Sequence, residues 1–266
     1  MDNFDTIGTV LLFTVFFIEF TLMLLHKPDK NVIQDMKANF VLGVLVILVG
    51  LFEKGLAFGF FSMVYHSAIF KPHLSWWLWI AGFLSCDFIH YLYHWIGHKI
   101  TLFWAAHITH HSSEQFNLSV GFRINCLHLL YRFLFWSPLC LLGFPPEMIL
   151  LFESISAVWN FMVHTEKVGK LGILDWMFNT PSNHRVHHAS NSEYIDKNYG
   201  GILMIYDHLF GTYVKEISVP VYGITHNINT DNAFKILLSE YGRLIGRFKN
   251  TNGLLTKFQY LFSKPQ

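Results

Sequence analysis

Apolar residues are gathered into five runs that are separated by polar segments. In chain order the runs are Gly8–Leu25, Phe40–Val64, Trp76–Tyr93, Leu127–Leu142 and Met148–Val163. A membrane-spanning helix needs about 20 residues, so the first three runs are long enough and the last two are short. The last two are joined by Gly-Phe-Pro-Pro at residues 143–146, which predicts a tight turn and a short helical hairpin. We expect an all-α integral membrane protein with about four to five membrane helices.

The composition supports a membrane protein. Only 14% of the residues are charged, against about 25% in soluble domains. Acidic Asp2 and Asp5 precede the first run, which favours a membrane anchor over a cleavable signal peptide. We expect one domain over residues 1–266, with N-terminal helices in 1–70, a motif core in 87–212 and an amphipathic basic tail in 231–266. The net charge of +1 argues against a nucleic-acid partner.

Basic residues predict the orientation in the bilayer. The segments 27–39, 94–126 and 164–266 hold 16 of the 19 Lys and Arg residues. Because cytoplasmic loops are enriched in Lys and Arg, these three segments are predicted to face the cytoplasm. The histidine-rich segments would then form a helical cap on that side.

Nine of the 16 histidines occur in closely spaced blocks or beside an apolar run. They are His94 and His98 (H-x3-H), His107, His110 and His111 (H-x2-H-H), His164, and His184, His187 and His188 (H-x2-H-H). Residues three and four apart share a helix face, so each block directs two or three imidazoles to one place. Imidazole binds iron, zinc, copper and nickel, and nine ligands suit two metal ions. The histidines outside the blocks are interpreted as structural.

Three further residues are candidates to support the ligands. Asp87 lies in an apolar run, where a carboxylate needs a partner, and the free N–H of a ligating imidazole is the predicted one. His90 lies one turn before His94 and is a candidate ligand or supporting donor. Glu166 follows His164 closely and is predicted to orient a ligand, with direct metal binding and a solvent-facing role as alternatives.

Several stretches around these histidines resemble the membrane di-iron fatty acid hydroxylase/sterol desaturase superfamily, and most of all its alkylglycerol monooxygenase branch. The stretches are His107–Ser119, His164–Glu166, Asn179–His188, Ile195–Tyr199, Phe210–Thr212 and Val221–His226. Trp95 departs from the pattern, because members commonly carry Arg after the first histidine.

The resemblance implies that all nine histidines are ligands of two iron ions. It further implies O2-dependent hydroxylation or desaturation of a lipid C–H bond, with electrons from an external donor or a reduced pterin. The alternatives are a sterol or fatty acyl desaturase of the same superfamily and, from other classes, a membrane metal transporter or a bis-histidine haem protein. A transporter usually places its ligands near the middle of the membrane on broken helices, and a bis-histidine haem site needs single facing histidines.

Overall fold

A computed structural model describes residues 28–265, together with residues 14, 17, 18, 20 and 21. The first apolar run, Gly8–Leu25, therefore lies almost entirely outside the described residues. Within residues 28–265 the α-helices are α1 (Lys30–His66), α2 (Trp76–Lys99), α3 (Thr101–His111), α4 (Leu129–Leu141), α5 (Pro146–Met162), α6 (Ile173–Met177), α7 (Pro181–His188), α8 (Ile205–Phe210), α9 (Ala233–Asn250) and α10 (Leu254–Phe262). Two 3₁₀ helices, Leu118–Phe122 and Cys126–His128, connect α3 to α4. In the same residues, β pairing is limited to two isolated bridges, so the all-α prediction is confirmed.

Helix α1 separates an apolar outer surface from the packed interior. Its 37 residues correspond to about 55 Å, more than the roughly 30 Å hydrocarbon thickness of a bilayer. Leu42, Ala57 and Phe61 are fully buried on one side, whereas Leu51 and Phe52 are 71% and 68% exposed. Exposed apolar side chains in such numbers suit contact with lipid rather than water.

The structure supports only part of the predicted number of membrane-spanning helices. Among the described residues, α1 is the one helix that is long and apolar enough to cross a bilayer. Helix α2 has 24 residues, but polar side chains occupy its C-terminal half. Helices α4 and α5, with 13 and 17 residues, are about 20 and 26 Å long, which is shorter than the hydrocarbon core. The count of four to five spans therefore stays a prediction.

The predicted turn between α4 and α5 is present and needs its glycine. Gly143 has a φ of +95°, a conformation that side chains disfavour. A Cβ at this position would lie 2.3 Å from the carbonyl oxygen of Phe70, which belongs to the loop between α1 and α2. The turn and that loop are thereby held together at the end of the bundle remote from the histidines.

The main apolar core lies where α1, α2, α4 and α5 meet. Its fully or nearly fully buried members include Phe61 on α1, Cys86 on α2, Phe133 and Trp136 on α4, and Ile149 on α5. Cys86, Cys126 and Cys140 are buried free thiols, as expected for small core residues. This packing fixes the C-terminal end of α2 beside the C-terminal end of α5, where His94, His98 and His164 are located.

Local sequence features set the helix boundaries around the histidine blocks. Helix α3 ends at His111, and Ser112 is its C-cap residue. Helix α7 begins with Pro181 in its first turn after Thr180, the arrangement that a missing proline N–H permits. Asp196 and Asn198, in the segment that follows α7, have φ values of 64° and 55°. These two residues turn the chain back towards the histidines.

The basic tail folds into two amphipathic helices, α9 and α10. In α9, Ile236 and Leu237 pack against Ala38 and Leu42 of α1, whereas Phe234 remains 56% exposed. The end of α10 is bonded to the start of α3, because the carbonyl oxygen of Ser263 accepts from the N and Oγ1 of Thr101 at 2.9 and 2.8 Å. The tail is thus part of the histidine cap.

Candidate metal centre

The tertiary structure brings all nine block histidines into two adjoining groups. In each group the candidate ligand atoms lie within 4.8 Å of one another. The five-histidine group consists of His94, His98, His107, His111 and His187. The four-histidine group consists of His110, His164, His184 and His188. The groups adjoin closely, since the rings of His111 and His188 stack with centroids 4.4 Å apart.

Each H-x2-H-H block is divided between the two groups. An α-helix advances by about 100° per residue. The last histidine of a block therefore lies about 40° to one side of the first, and the middle histidine lies about 60° to the other side. On α3, His107 and His111 accordingly join the five-histidine group while His110 joins the other. On α7 the assignment is reversed: His187 joins the five-histidine group and its neighbours join the four-histidine group. The expectation that each block serves one place is therefore wrong, and both helices serve both groups.

The Nε2 atoms face one another at short distances inside each group. Six Nε2–Nε2 distances lie between 3.0 and 3.2 Å. Two nitrogens bound at right angles to one ion, each about 2.1 Å from it, would be about 3.0 Å apart. The spacing of the imidazoles therefore matches the edges of a coordination polyhedron.

Backbone carbonyl groups fix the tautomer of several rings. A carbonyl oxygen only accepts, so a ring whose Nδ1 contacts it must donate from Nδ1 and, when neutral, present a bare Nε2. His164 contacts the carbonyl of Asn160 at 2.7 Å, and His110 contacts that of Arg123 at 3.3 Å. His94 and His187 contact the carbonyls of Tyr199 and Lys197 at 3.0 and 2.9 Å.

These tautomers make a metal ion the natural partner of the site. The bare Nε2 atoms of His164 and His110 face each other at 3.2 Å. Neither nitrogen carries a hydrogen, so the two lone pairs repel each other and no hydrogen bond can form between them. The Nε2 of His98 is buried and has no hydrogen-bond partner in the described part of the chain. A cation relieves the repulsion and uses the unbonded nitrogen. The residues present therefore fit two ions of a metal that prefers nitrogen ligands.

Burial keeps the imidazoles neutral, which is the form that binds metal. Desolvation lowers the pKa of His187 to about 4, and the hydrogen bond to Lys197 and the nearby Asp196 only partly oppose it. Desolvation also lowers the pKa of His164 to about 4. The pKa values of His107, His111, His184 and His188 are held well below the usual value by the same burial and by the neighbouring rings.

The stability of the metal-free protein is therefore expected to fall on acidification. In the unfolded chain histidine takes up a proton near pH 6.5, whereas His164 and His187 in the fold do so only near pH 4. Between these values the unfolded state binds more protons, so unfolding becomes easier as the pH falls from about 7 to about 4. Thermal denaturation of chelator-treated protein in detergent at pH 7, 6 and 5 should give steadily lower midpoints. A midpoint that stays constant over this range would contradict the neutral, buried state of the group.

The three residues predicted to support the ligands contact other groups instead. Asp87 accepts from the backbone N–H groups of Ile202 and Leu203 at 2.8 and 3.1 Å, so its partner is the chain beyond α7 and not an imidazole. His90 lies outside both groups and is hydrogen-bonded to Ser156 at 3.3 Å. Glu166 is exposed and accepts from the hydroxyl of Tyr222 at 3.1 Å, which corrects the expectation that it orients a ligand. Backbone carbonyls take the orienting role that was assigned to side-chain carboxylates.

A buried network around Arg123 supports the four-histidine group and was missed in the sequence. Its guanidinium donates to Asp35 and Asn39 of α1 at 2.9 and 2.8 Å, and to the carbonyl of Thr109 on α3 at 3.1 Å. The same residue offers its own carbonyl to His110. Arg123 thereby links α1 to α3, the helix that carries three of the block histidines. The sequence feature that could have indicated this network is an arginine shortly after a histidine block, in a segment with few other charged residues.

Two cavities adjoin the histidines. The first, of about 190 Å³, is bounded by α2, α4, α5 and the 3₁₀ segments, and five of the nine histidines line it: His94, His107, His110, His164 and His184. The second, of about 270 Å³, lies towards the loops and the tail, and the remaining four line it: His98, His111, His187 and His188. The first has mainly apolar walls, which include Phe83, Trp136 and Phe161 together with the charged Arg132 and Glu153, whereas Asp196, Glu240 and Arg243 line the second. The histidine layer therefore separates a mainly apolar cavity from a more polar one.

Comparison with known proteins places this site in a family. The fatty acid hydroxylase family matches residues 79–212, the segment that contains all nine histidines. This chain belongs to the fatty acid hydroxylase family. The match covers half of the chain and begins at the start of α2.

Relatives of this fatty acid hydroxylase family member include alkylglycerol monooxygenases. The chain is 36% identical to that of Homo sapiens over 241 residues, which cover 90% of this chain and 54% of the relative. It is 39% identical to that of Danio rerio over 194 residues, covering 73% and 43%. The ornithine lipid hydroxylase OlsE of Rhizobium tropici is 30% identical over 135 residues, covering 50% and 41%. The chain spans about half the length of the curated relatives it matches. No solved structure matches it.

Proposed function

We propose that the protein is an O2-dependent oxidoreductase that hydroxylates a C–H bond of a lipid, with desaturation as the alternative outcome at the same site. The observation that carries this proposal is the pair of histidine groups whose bare nitrogens converge at the end of an apolar cavity. The family membership and the names of the relatives support a lipid hydroxylase over a metal transporter.

The nine block histidines would hold two iron ions, one in each group. Iron bound there would supply the reduction and activation of O2, with electrons from an external donor or a reduced pterin. The protein contributes fixed ligands: the carbonyls of Asn160, Arg123, Lys197 and Tyr199 hold four rings in the tautomer that leaves Nε2 free. Each ring is thus oriented before a metal binds.

The apolar cavity would bring the lipid to the histidines and exclude water from them. Its walls include Ala106, Ile124 and Phe161, which make no competing hydrogen bonds through their side chains. Gly121 permits the close approach, because a Cβ there would lie 2.7 Å from the ring of Phe161. A dry cavity strengthens the electrostatic interactions of the bound ions and limits side reactions.

We also propose the membrane arrangement that the sequence predicts. The chain would be a single multi-pass membrane domain with four to five spans, and the histidine cap would face the cytoplasm. The exposed apolar side chains of α1 and of the start of α2, including Trp76 and Trp77, support contact with lipid. The basic residues of the cap support the orientation, because positive residues are retained on the cytoplasmic side.

Purified protein in detergent tests the proposed function directly. Elemental analysis should give about two irons per chain, and the absorption spectrum should contain no haem band. With O2, reductant and an alkyl lipid, the product should gain one oxygen atom, which comes from ¹⁸O2 and not from water. Stoichiometric zinc or haem, or oxygen derived from water, would contradict the proposal.

A further inference from the structure

The side chains that line the second cavity range from exposed to buried. Arg243 and Lys264 are 54% and 69% exposed, so they lie at its opening. Glu240 and Asp196 are only 14% and 16% exposed. The deepest part of the wall consists of four buried block histidines, which belong to both groups: His98, His111, His187 and His188. The second cavity therefore connects the surface of the cap with both candidate metal positions.

A hydrated metal ion fits the second cavity better than the first. An ion with a shell of about six water molecules occupies about 180 Å³, at roughly 30 Å³ per water. The second cavity measures about 270 Å³, and its polar side chains can replace those waters one at a time. The first measures about 190 Å³ and has mainly apolar walls, against which an ion loses its hydration without compensation. A divalent ion in water is therefore expected to approach the histidines through the second cavity.

The inner end of the second cavity holds a ligand nitrogen that is available to an ion. His98 is 8% exposed, and its Nε2 has no hydrogen-bond partner in the described part of the chain. Its other ring nitrogen, Nδ1, lies 3.8 Å from Asp196 Oδ1. Lys99 and Lys264 contact the second oxygen of Asp196, Oδ2, at 2.6 and 3.2 Å. Asp196 is thus a carboxylate that lies beside an unused metal ligand.

The outer end of the second cavity holds a carboxylate that a cation can reach. Glu240 and Arg243 are paired on α9, with Glu240 Oε2 3.3 Å from Arg243 Nη1. Ion pairs near the surface are weak and are screened by salt, so Arg243 is readily displaced. The exposed imidazole of His226 lines the same cavity. Carboxylate and imidazole groups both bind ferrous ion, so this end can take up an ion from solution.

We propose that the second cavity is the uptake path of the metal ion: Glu240 receives the hydrated cation near the surface, and Asp196 passes it to His98. The inference rests on the proposed metal centre and goes beyond the proposed reaction. It assigns a transit site for a divalent cation to residues that are not among the nine block histidines. It also distinguishes the two cavities by what they admit, the ion on the more polar side and the lipid on the apolar side.

Opposite changes at the outer ion pair test the path. Metal-free protein, prepared with a chelator in detergent, is mixed with ferrous ion in the absence of oxygen, and bound iron is measured over time. Glu240→Gln should slow uptake about 10-fold, because the cavity loses a carboxylate that attracts the cation. Arg243→Gln should speed uptake several-fold, because Glu240 loses its competing partner. Glu193→Gln, the same change at an exposed residue of the cap outside the cavity, should leave the rate unchanged.

A physical block tests the path independently of charge. Thr225 is exposed and lines the second cavity, and the three native thiols are buried, so Thr225→Cys can be alkylated selectively. A bulky, uncharged maleimide at this position should slow iron uptake at least about 10-fold, because an apolar group in a narrow passage excludes hydrated ions. The same label on Ser192→Cys, an exposed position outside the cavity, should have no effect. Before labelling, both variants should take up iron at the wild-type rate.

The outcomes separate this inference from the proposed function. Wild-type uptake rates in Glu240→Gln and in labelled Thr225→Cys would overturn the path and leave the metal centre standing. Equal slowing by the changes at Glu193 and Ser192 would also overturn it, because the effect would then not belong to the cavity. Slowing confined to the cavity variants, in a protein that binds two irons but oxidises no lipid, would support the path and count against the proposed reaction.

Discussion

Replacing one histidine in each group should abolish lipid oxidation and remove metal to different extents. In His184→Ala the four-histidine group keeps three ligands, and bound iron should fall from about two to about one per chain. In His187→Ala the five-histidine group keeps four, so more of its iron should remain. Because the proposed O2 chemistry depends on the ions and on the complete set of ligands around each of them, turnover should fall at least about 1,000-fold in either variant. Elemental analysis and oxygen consumption with a lipid substrate measure the two effects.

The matched control is His73→Ala, which removes an exposed imidazole in the loop between α1 and α2. This variant should keep its iron and its activity. All three variants should still be recovered from the membrane fraction, because the substitutions leave the apolar surface unchanged. Full activity in His187→Ala would disprove its assignment as a ligand.

Loss of the Arg123 guanidinium should destabilise the histidine cap strongly. Arg123→Met keeps an unbranched apolar stem but leaves the buried Asp35 carboxylate without the cation that lies 2.9 Å away. Breaking a buried ion pair on one side costs about 3–5 kcal/mol, because the remaining charge is uncompensated. The variant should therefore denature at a clearly lower temperature in detergent. It should also release iron from the four-histidine group more readily, since the carbonyl of the same residue orients His110.

Arg243→Met provides the comparison for a surface pair. Arg243 is 54% exposed and lies 3.3 Å from Glu240 on the same helix. Exposed pairs contribute about 0–1 kcal/mol, so this variant should denature close to the wild-type temperature. Similar losses of stability in the two variants would show that the Arg123 network is not a special support of the site.

The helices and the identity of the clustered histidines were accessible from the chain alone. Apolar runs predicted α1, α2, α4 and α5, and the Gly-Phe-Pro-Pro segment predicted the turn between α4 and α5 at residue 143. These features depend on interactions within a few residues, which a sequence displays directly. The spacing of the histidines predicted that the imidazoles of each block share one side of a helix, and the family resemblance implied that all nine, including the isolated His164, belong to one metal site.

Partners from distant parts of the chain could not be predicted in the same way. Asp87 was assigned to an imidazole, but the fold brings the backbone of Ile202 and Leu203 to it across 115 positions or more. Glu166 lies close to His164 in the sequence and yet faces Tyr222 at the surface. A backbone carbonyl is present at every residue, so nothing in the sequence marks the four that orient the rings.

The sequence by itself determined which imidazoles share a side of each helix, because helical spacing is a local property. The tertiary structure decided how they are divided: α3 and α7 each contribute to both groups, since the middle histidine of each block lies about 100° around the helix from the last one. It also decided that the histidine layer separates a mainly apolar cavity from a more polar one, and that Glu53, Arg132 and Glu153, from three different helices, form a buried ion-paired cluster beside the first. These features depend on how separate helices pack, and packing depends on contacts between residues that are far apart in the chain.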